Sequence, residues 1–272
     1  MLRSMYSGVS GMRGFQTKLD VIGNNIANVN TTGFKSGRVM FKDIMSQTVS
    51  GVTAPVDGET GGVNAKQIGL GVSIGSVDTL HTAGSAQTTN NPLDLRLDGD
   101  GFFLVKMTAD QEVPYLTRAG DFHMDASGNL LTSDGLFVCD SNGDPITVAD
   151  DVTGFTISQD GTLVQTMSDG TTENGVQIGV GKVVNPEGLE KIGGNLYRMT
   201  LNANPDGELE PTTANNTETG TGAIVSGQLE MSNVDLTGEF TEMIVAQRGF
   251  QANSRIITTS DEVLQEVVNL KR

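Results

Sequence analysis

All seven prolines of the chain fall between Pro55 and Pro211, so the first 54 and the last 61 residues lack the strongest helix breaker. Those two ends carry the same apolar pattern. Met5, Met12, Leu19 and Ile26 are seven residues apart, with Phe15, Ile22 and Val29 as a second row. Near the other end Leu236, Met243, Phe250, Ile257 and Leu264 repeat the spacing, widened by Ile256, Val263 and Leu270. A seven-residue apolar repeat puts a stripe on one side of a helix, and the stripe must be covered by another surface. The ends are therefore expected as long helices, each ~40–50 Å at a rise of about 1.5 Å per residue, paired into a coiled-coil-like domain. Gly8, Gly11 and Gly14 flatten one face of the first helix, permitting close approach of another backbone. Pattern alone leaves open whether the stripes meet within one chain or between copies.

The helix boundaries have their own chemistry. In SNVDLTGEFTEMI, Asn233 or Asp235 can cap the second helix, Glu239 and Glu242 suit its early turns, and Lys271 and Arg272 suit its end. The first helix runs into LDVIGNNIANVNTTGFKSG, residues 19–37, where asparagines sit among the apolar positions. Asparagine competes for backbone hydrogen bonds, so such a cluster marks a helix end, a cap or a polar contact surface.

Between the ends the signals change. Residues 46–75 begin as a Gly/Thr/Ser linker and pass into the alternation Ile68, Leu70, Val72, Ile74, which reads as extended strand. From about residue 92, Asp-Gly pairs begin at 98, 100, 134, 160, 169 and 206 and Asn-Gly pairs at 142 and 174, the strongest local signals for tight β-turns. Residues 202–222 carry few apolar side chains and are expected as a long mobile loop. The resulting fold class is α+β: residues 1–45 and 229–272 as the terminal helical domain, 46–75 as linker and extended segment, and 76–228 as a central all-β domain expected to fold alone.

Composition limits function. Hydrophobic residues make up 36% and aromatic residues 5%, with no Trp, which suits turn-rich extended structure better than a deep apolar pocket. A net charge of −16 argues against nucleic acid and anionic membranes, which need clustered Lys and Arg. No segment approaches the ~20 apolar residues of a membrane span, and MLRSMYSGVSGMRGF lacks the apolar core and cleavage site of a secretory signal.

Catalytic and metal chemistry finds little support. Cys139 stands alone and there are two histidines, too few for a zinc set. In DSNGDPITVADD, Asp140, Asn142, Asp144 and Asp151 occupy positions 1, 3, 5 and 12 of an EF-hand-like loop, but Pro145 stands where Gly is required, so ordinary turns are the better account. His81 and His123 lie in separate β segments without a nucleophile motif, and Asp121 with Asp125 lacks an aromatic sugar platform. No catalytic residue, cofactor or metal is expected.

Four motifs carry a resemblance: LDVIGNNIANVNTTGFK at 19–35, GDGFFLV at 99–105, YLTRAGDFHMDASGNLLTSDGLFV at 115–138 and the segment from LEMSNVDLTGEF to VVNLK at 229–271. With them the chain resembles the flagellar hook and rod family of axial proteins from end to end. The resemblance implies that the two ends fold back together in the core of a hollow helical tube that carries torque. The implied packing residues are Met12, Leu19, Ile22, Asn24, Asn25, Ile26 and Asn28 on the first segment, and Asn233, Asp235, Met243, Gln247, Arg248, Phe250, Ile257 and Leu264 on the second. Asparagines beside the stripe would fix register through directional hydrogen bonds, although helix capping accounts for Asn24, Asn25 and Asn28 and a solvated face for Gln247 and Arg248. Implied partners are further copies of the chain, neighbouring rod, hook and hook-junction proteins, the export apparatus and the hook cap, with no nucleic acid and no membrane insertion. The implied location is the hook or basal body of the extracellular flagellum, reached by type III export without a cleaved signal. The ending VVNLKR favours a hook subunit; the alternatives are a distal rod subunit and, from another class, a secreted acidic calcium-binding adhesin.

Overall fold

The computed structural model describes residues 2–55, 61–109, 111–148, 152–205, 207 and 209–270. The chain divides into two compact units, Met1–Ala27 with Gly37–Thr79 and Asp235–Arg272, and Asn28–Ser36 with Leu80–Val234.

The first unit contains the two long helices, α1 (Leu2–Ala27) and α2 (Leu236–Asn269). At about 1.5 Å per residue they span ~39 and ~51 Å. α1 packs along α2 and against a β ribbon. In the ribbon, β1 (Gly37–Asp43) pairs antiparallel with β4 (Val72–Thr79), and β2 (Ser46–Ser50) pairs with β3 (Lys66–Gly69). Of residues 46–75, expected as a linker passing into extended strand, the linker part also contributes strand, β2, to an antiparallel ribbon. Flexible composition did not prevent pairing, because a two-stranded ribbon satisfies its backbone across the hairpin even where both faces are wet.

The second unit holds β5 (Ala86–Thr88), β6 (Leu95–Asp98), β7 (Phe102–Lys106), β8 (Tyr115–Thr117), β9 (Phe122–Met124), β10 (Leu130–Thr132), β11 (Phe137–Val138), β12 (Val152–Ile157), β13 (Thr162–Met167), β14 (Thr172–Gln177), β15 (Gly179–Gly181), β16 (Glu190–Gly193), β17 (Leu196–Arg198), β18 (Pro211–Thr213), β19 (Ala223–Ser226) and β20 (Gln228–Glu230). The main sheet runs β16-β17-β8-β7-β11-β10-β9, with β15 joining β7 to β18. Its centre is β7, the FFLV motif, in which every residue is buried. Successive side chains leave a strand on opposite faces. Accordingly Phe103 and Val105 enter one core with Leu95, Val138, Ile146 and Ile178, whereas Phe102 and Leu104 enter another with Leu116, Cys139, Tyr197 and Met199.

The turn signals succeed where glycine can adopt positive φ: Gly135, Gly161 and Gly170 have φ of 79°, 78° and 75° at the turns after β10, before β13 and before β14. Asn174-Gly175 is an exception. It lies within β14, beside an irregularity in the β13–β14 register, and a Cβ on Gly175 would sit 2.9 Å from the Leu163 carbonyl oxygen.

Residues 202–222, expected as a mobile loop, include β18, and Ala203, Ala214 and Thr221 are buried. Thr212 and Thr221 donate to the carbonyls of Val180 and Thr213 at 2.7 and 2.8 Å, so hydroxyl hydrogen bonds supply the order that apolar content does not. The unit boundaries also differ from those expected: the second unit takes in Asn28–Ser36 and residues 229–234, both assigned from sequence to the helical domain.

Candidate functional site

The helical unit is where most of the sequence-derived packing residues fall. Helix α1 approaches α2 through small residues: a Cβ on Gly8 would sit 3.4 Å from the Asn253 carbonyl oxygen and 3.5 Å from Ile257 Cγ1, and one on Gly11 2.9 Å from Asn253 Nδ2. From the other side, a Cβ on Gly249 would meet the Phe15 ring at 2.6 Å. Gly14 is filled instead by Phe41 of β1, whose ring centroid lies 5.9 Å from that of Phe15. Interhelical contact thus rests on glycine notches receiving a larger side chain. The heptad rows do not close into one seam: Met12, Leu19, Ile26, Met243, Ile257 and Leu264 are half-buried, Ile22 is buried, and Leu236 and Phe250 are exposed.

The asparagines separate into different roles. Asn25 is 1% exposed. Its Oδ1 accepts the Gly37 N–H at 2.9 Å, and its Nδ2 donates to the Gly37 carbonyl and to Glu239 Oε1, each at 2.9 Å. One amide thereby fastens the last turns of α1 to the start of β1 and to the first turn of α2. Burial holds the Glu239 carboxyl above its ordinary range, partly offset by the Asn25 hydrogen bond. Nearby, Lys18 pairs with Glu242 at 3.0 Å. Asn24 is exposed, as are Gln247 and Arg248.

Asp235 caps α2, accepting the Thr237 N–H at 3.0 Å. The last two residues, assigned from sequence to the C-terminal dipole, lie outside the described residues. Asn28 and Asn233 belong to the other unit. Asn28 accepts the Thr31 hydroxyl, closing a turn at 3.1 Å. Asn233 is no helix cap; it accepts the Ser36 N–H at 2.8 Å and donates to the Leu80 carbonyl and the Thr82 hydroxyl. Hydrogen bonds between residues some 150 to 200 positions apart leave no local sequence signal.

Apolar side chains remain uncovered on both elements. Along α2, Phe240, Ile244, Val245, Ile256, Val263, Val267 and Val268 are each between 42% and 65% exposed, and on or beside β2 of the ribbon Met45, Val49 and Val52 are exposed. The EF-hand-like segment is organised differently: Asp140 Oδ1 accepts the N–H groups of Asn142 and Asp144, each at 2.8 Å, which makes it a turn organiser; Asp151 lies outside the described residues.

Two long terminal helices meeting through notches in one unit, with a mostly β second unit, make this an α+β protein. Family models extend this. Residues 5–35 match the flagella basal body rod protein model, 96–165 the flagellar hook protein FlgE/F/G D1 domain, and 225–270 the flagellar basal body rod FlgEFG protein C-terminal model. The chain belongs to the flagellar rod and hook family. It is 55% identical to the flagellar basal-body rod protein FlgG of Bacillus subtilis over 273 aligned residues, covering all of both chains. The flagellar hook protein FlgE of Borreliella burgdorferi is 29% identical over an alignment of 450 residues, and that of Treponema pallidum is 53% identical over 131 residues, which is 48% of this chain and 27% of the hook protein. The ending VVNLKR is therefore a misleading guide to a hook subunit. High identity to a hook protein is confined to part of the chain, whereas identity to a rod protein at 55% runs its full length.

Proposed function

We propose that the chain is a subunit of the flagellar basal-body rod, most naturally its distal part, and that copies polymerise through the helical unit into a hollow tube transmitting torque. The observation that carries this reading is the full-length match at 55% identity to a basal-body rod protein. The physical complement is the uncovered apolar side of α2, since a helix surface of this kind gains stability when a second subunit removes it from water. In such a tube the chain would contact its own copies and adjoining rod, hook and hook-junction proteins, after type III export without cleavage, with the hook cap acting on the hook beyond it. The packing residues assigned from sequence would act at two levels. Asn25, Ile22 and Met12 order the helical unit itself, while Phe250, Gln247 and Arg248 face outward to meet neighbours.

Deletion of the gene tests the position in the axis. Electron microscopy of purified basal bodies should show loss of the distal rod together with everything beyond it; a complete rod lacking only the hook would overturn the rod reading in favour of the hook. A second measurement tests the surface. Val263→Asp places a charge on a side chain already 45% exposed, so the isolated chain should keep its melting profile while polymerisation is abolished. Normal polymers from this variant would remove α2 from the interface.

A further inference from the structure

One buried carboxylate late in the chain gathers partners from three earlier segments of the second unit. Glu230 is 2% exposed. Its Oε1 accepts the Lys35 ammonium at 2.6 Å and the Gly84 N–H at 2.9 Å, and its Oε2 faces Arg118 Nη1 at 3.4 Å. Its backbone carbonyl accepts the Gly33 N–H at 2.8 Å. The side-chain partners lie 195, 146 and 112 positions earlier in the sequence.

Both cations are themselves buried, Lys35 to 1% and Arg118 to 6% exposed. Lys35 also donates to the Thr82 carbonyl at 2.7 Å, and Arg118 Nη2 to the Gly99 carbonyl at 2.8 Å. His81 lies against the same cluster, stacked edge-on to Phe102 and Tyr197, and Lys191 adds a further positive charge while Asp100 faces Arg118. Among the described residues, Glu230 is the carboxylate in ion-pair range of both Lys35 and Arg118.

Without Glu230, Asp100 would still face Arg118 but Lys35 would have no counter-charge among the described residues, and burying it so is costly because the interior neither solvates nor screens it. The neutral hydrogen bond to Thr82 does not cancel that cost.

We propose that Glu230 is a closure latch: the segments 28–36, 80–84 and 117–119 are kept from docking in the second unit by the charges of Lys35 and Arg118 until residues 228–233 arrive and supply the carboxylate. A chain delivered from its N-terminus therefore keeps these three segments undocked until nearly all of it has emerged. The same contact that finishes the unit delays its completion.

The test is refolding of the full chain, followed by stopped-flow fluorescence or circular dichroism and by pulsed hydrogen exchange. If Glu230 must arrive before closure, peptides covering 31–36, 80–86, 115–120 and 228–233 gain protection in one phase. Glu230→Gln should then slow refolding by about a hundredfold while changing the unfolding rate little, because the latch contact is already made in the transition state. Where Glu230→Gln does not refold at all, Lys35→Met in the same chain removes the stranded charge and should restore refolding. Where it does refold, the double variant should do so at least about tenfold faster than the single one. Protection of 80–86 and 115–120 ahead of 228–233, a Glu230→Gln chain that refolds at the parent rate, or a double variant no better than the single one would each overturn the proposal.

Discussion

His81 shows how a single side chain takes its properties from its surroundings. Its Nδ1 is buried without a hydrogen-bond partner among the described residues, its ring is packed on Phe102 and Tyr197, and its pKa is pushed down to about 4 by burial first and then by the nearby charges of Lys35, Arg118 and Lys191. The folded state therefore refuses a proton that the unfolded chain accepts near the ordinary value of 6.5. Stability linked to His81 is present in full above that value and is lost as pH falls from about 6.5 towards about 4. Denaturant titrations across this window should give a shallower loss for His81→Phe than for the parent chain, the common slope from the carboxylates cancelling in the difference. Equal slopes would mean that His81 is solvated. Cys139 is a simpler case: burial pushes its thiol up to about 12, so it behaves as a core side chain and not as a nucleophile.

At the scale of elements, the helix ends explain the asparagine-rich stretch. The Asn25 amide ties the last turns of α1, which stops at Ala27, to the start of β1 and to α2 by bonding Gly37 twice and Glu239 once. Asn25→Ala leaves the Gly37 groups unpaired in a half-buried position. It should destabilise the helical unit by about 2–3 kcal/mol, at roughly 1 kcal/mol per hydrogen bond. Thermal melting followed at 222 nm should show the helical transition moving down with the β unit unaffected; an unchanged helical melt would show that water replaces the amide. The turn TTGFK is fixed just as tightly. Gly33 has φ of 68°, and a Cβ there would lie 2.5 Å from the Ala119 backbone nitrogen, so no other residue fits without displacing backbone.

At the scale of the molecule, the charge of −16 sets a condition on assembly. Copies of an acidic chain repel one another, and the apolar surface on α2 must overcome that repulsion. Raising ionic strength from about 0.02 to about 0.2 M shortens the screening length from roughly 20 to under 10 Å. The concentration needed for polymerisation should therefore fall with added salt, as read by sedimentation of polymer from soluble chain. A rise instead would mean that intersubunit ion pairs carry the contact. The two units also differ in how they depend on the chain's ends. The helical unit uses both termini by construction, and the β unit uses them through Lys35 and Glu230, so a fragment of residues 76–228, expected from sequence to fold alone, would leave Arg118 without its Glu230 ion pair.

Features governed by neighbours along the chain are legible in the residues themselves. Heptad spacing locates both helices, Asp235 ahead of an apolar run marks the cap of α2, and Asp-Gly pairs mark turns of the β region. Each of these is a local preference of a few residues, set by helix period, side-chain reach or glycine's access to positive φ. The tertiary structure alone decided that Asn233 bonds Ser36 and Leu80 rather than capping a helix, that Gly175 sits inside a strand, that residues 46–50 pair as strand where a linker was expected, and that Lys35, Arg118 and Glu230 form one buried cluster. Those outcomes depend on residues as many as 197 positions apart meeting in space. A lysine, an arginine and a glutamate in three polar-looking segments carry no mark of burial until the fold removes water from all three together, because the cost of desolvating each charge is offset only by the presence of the others.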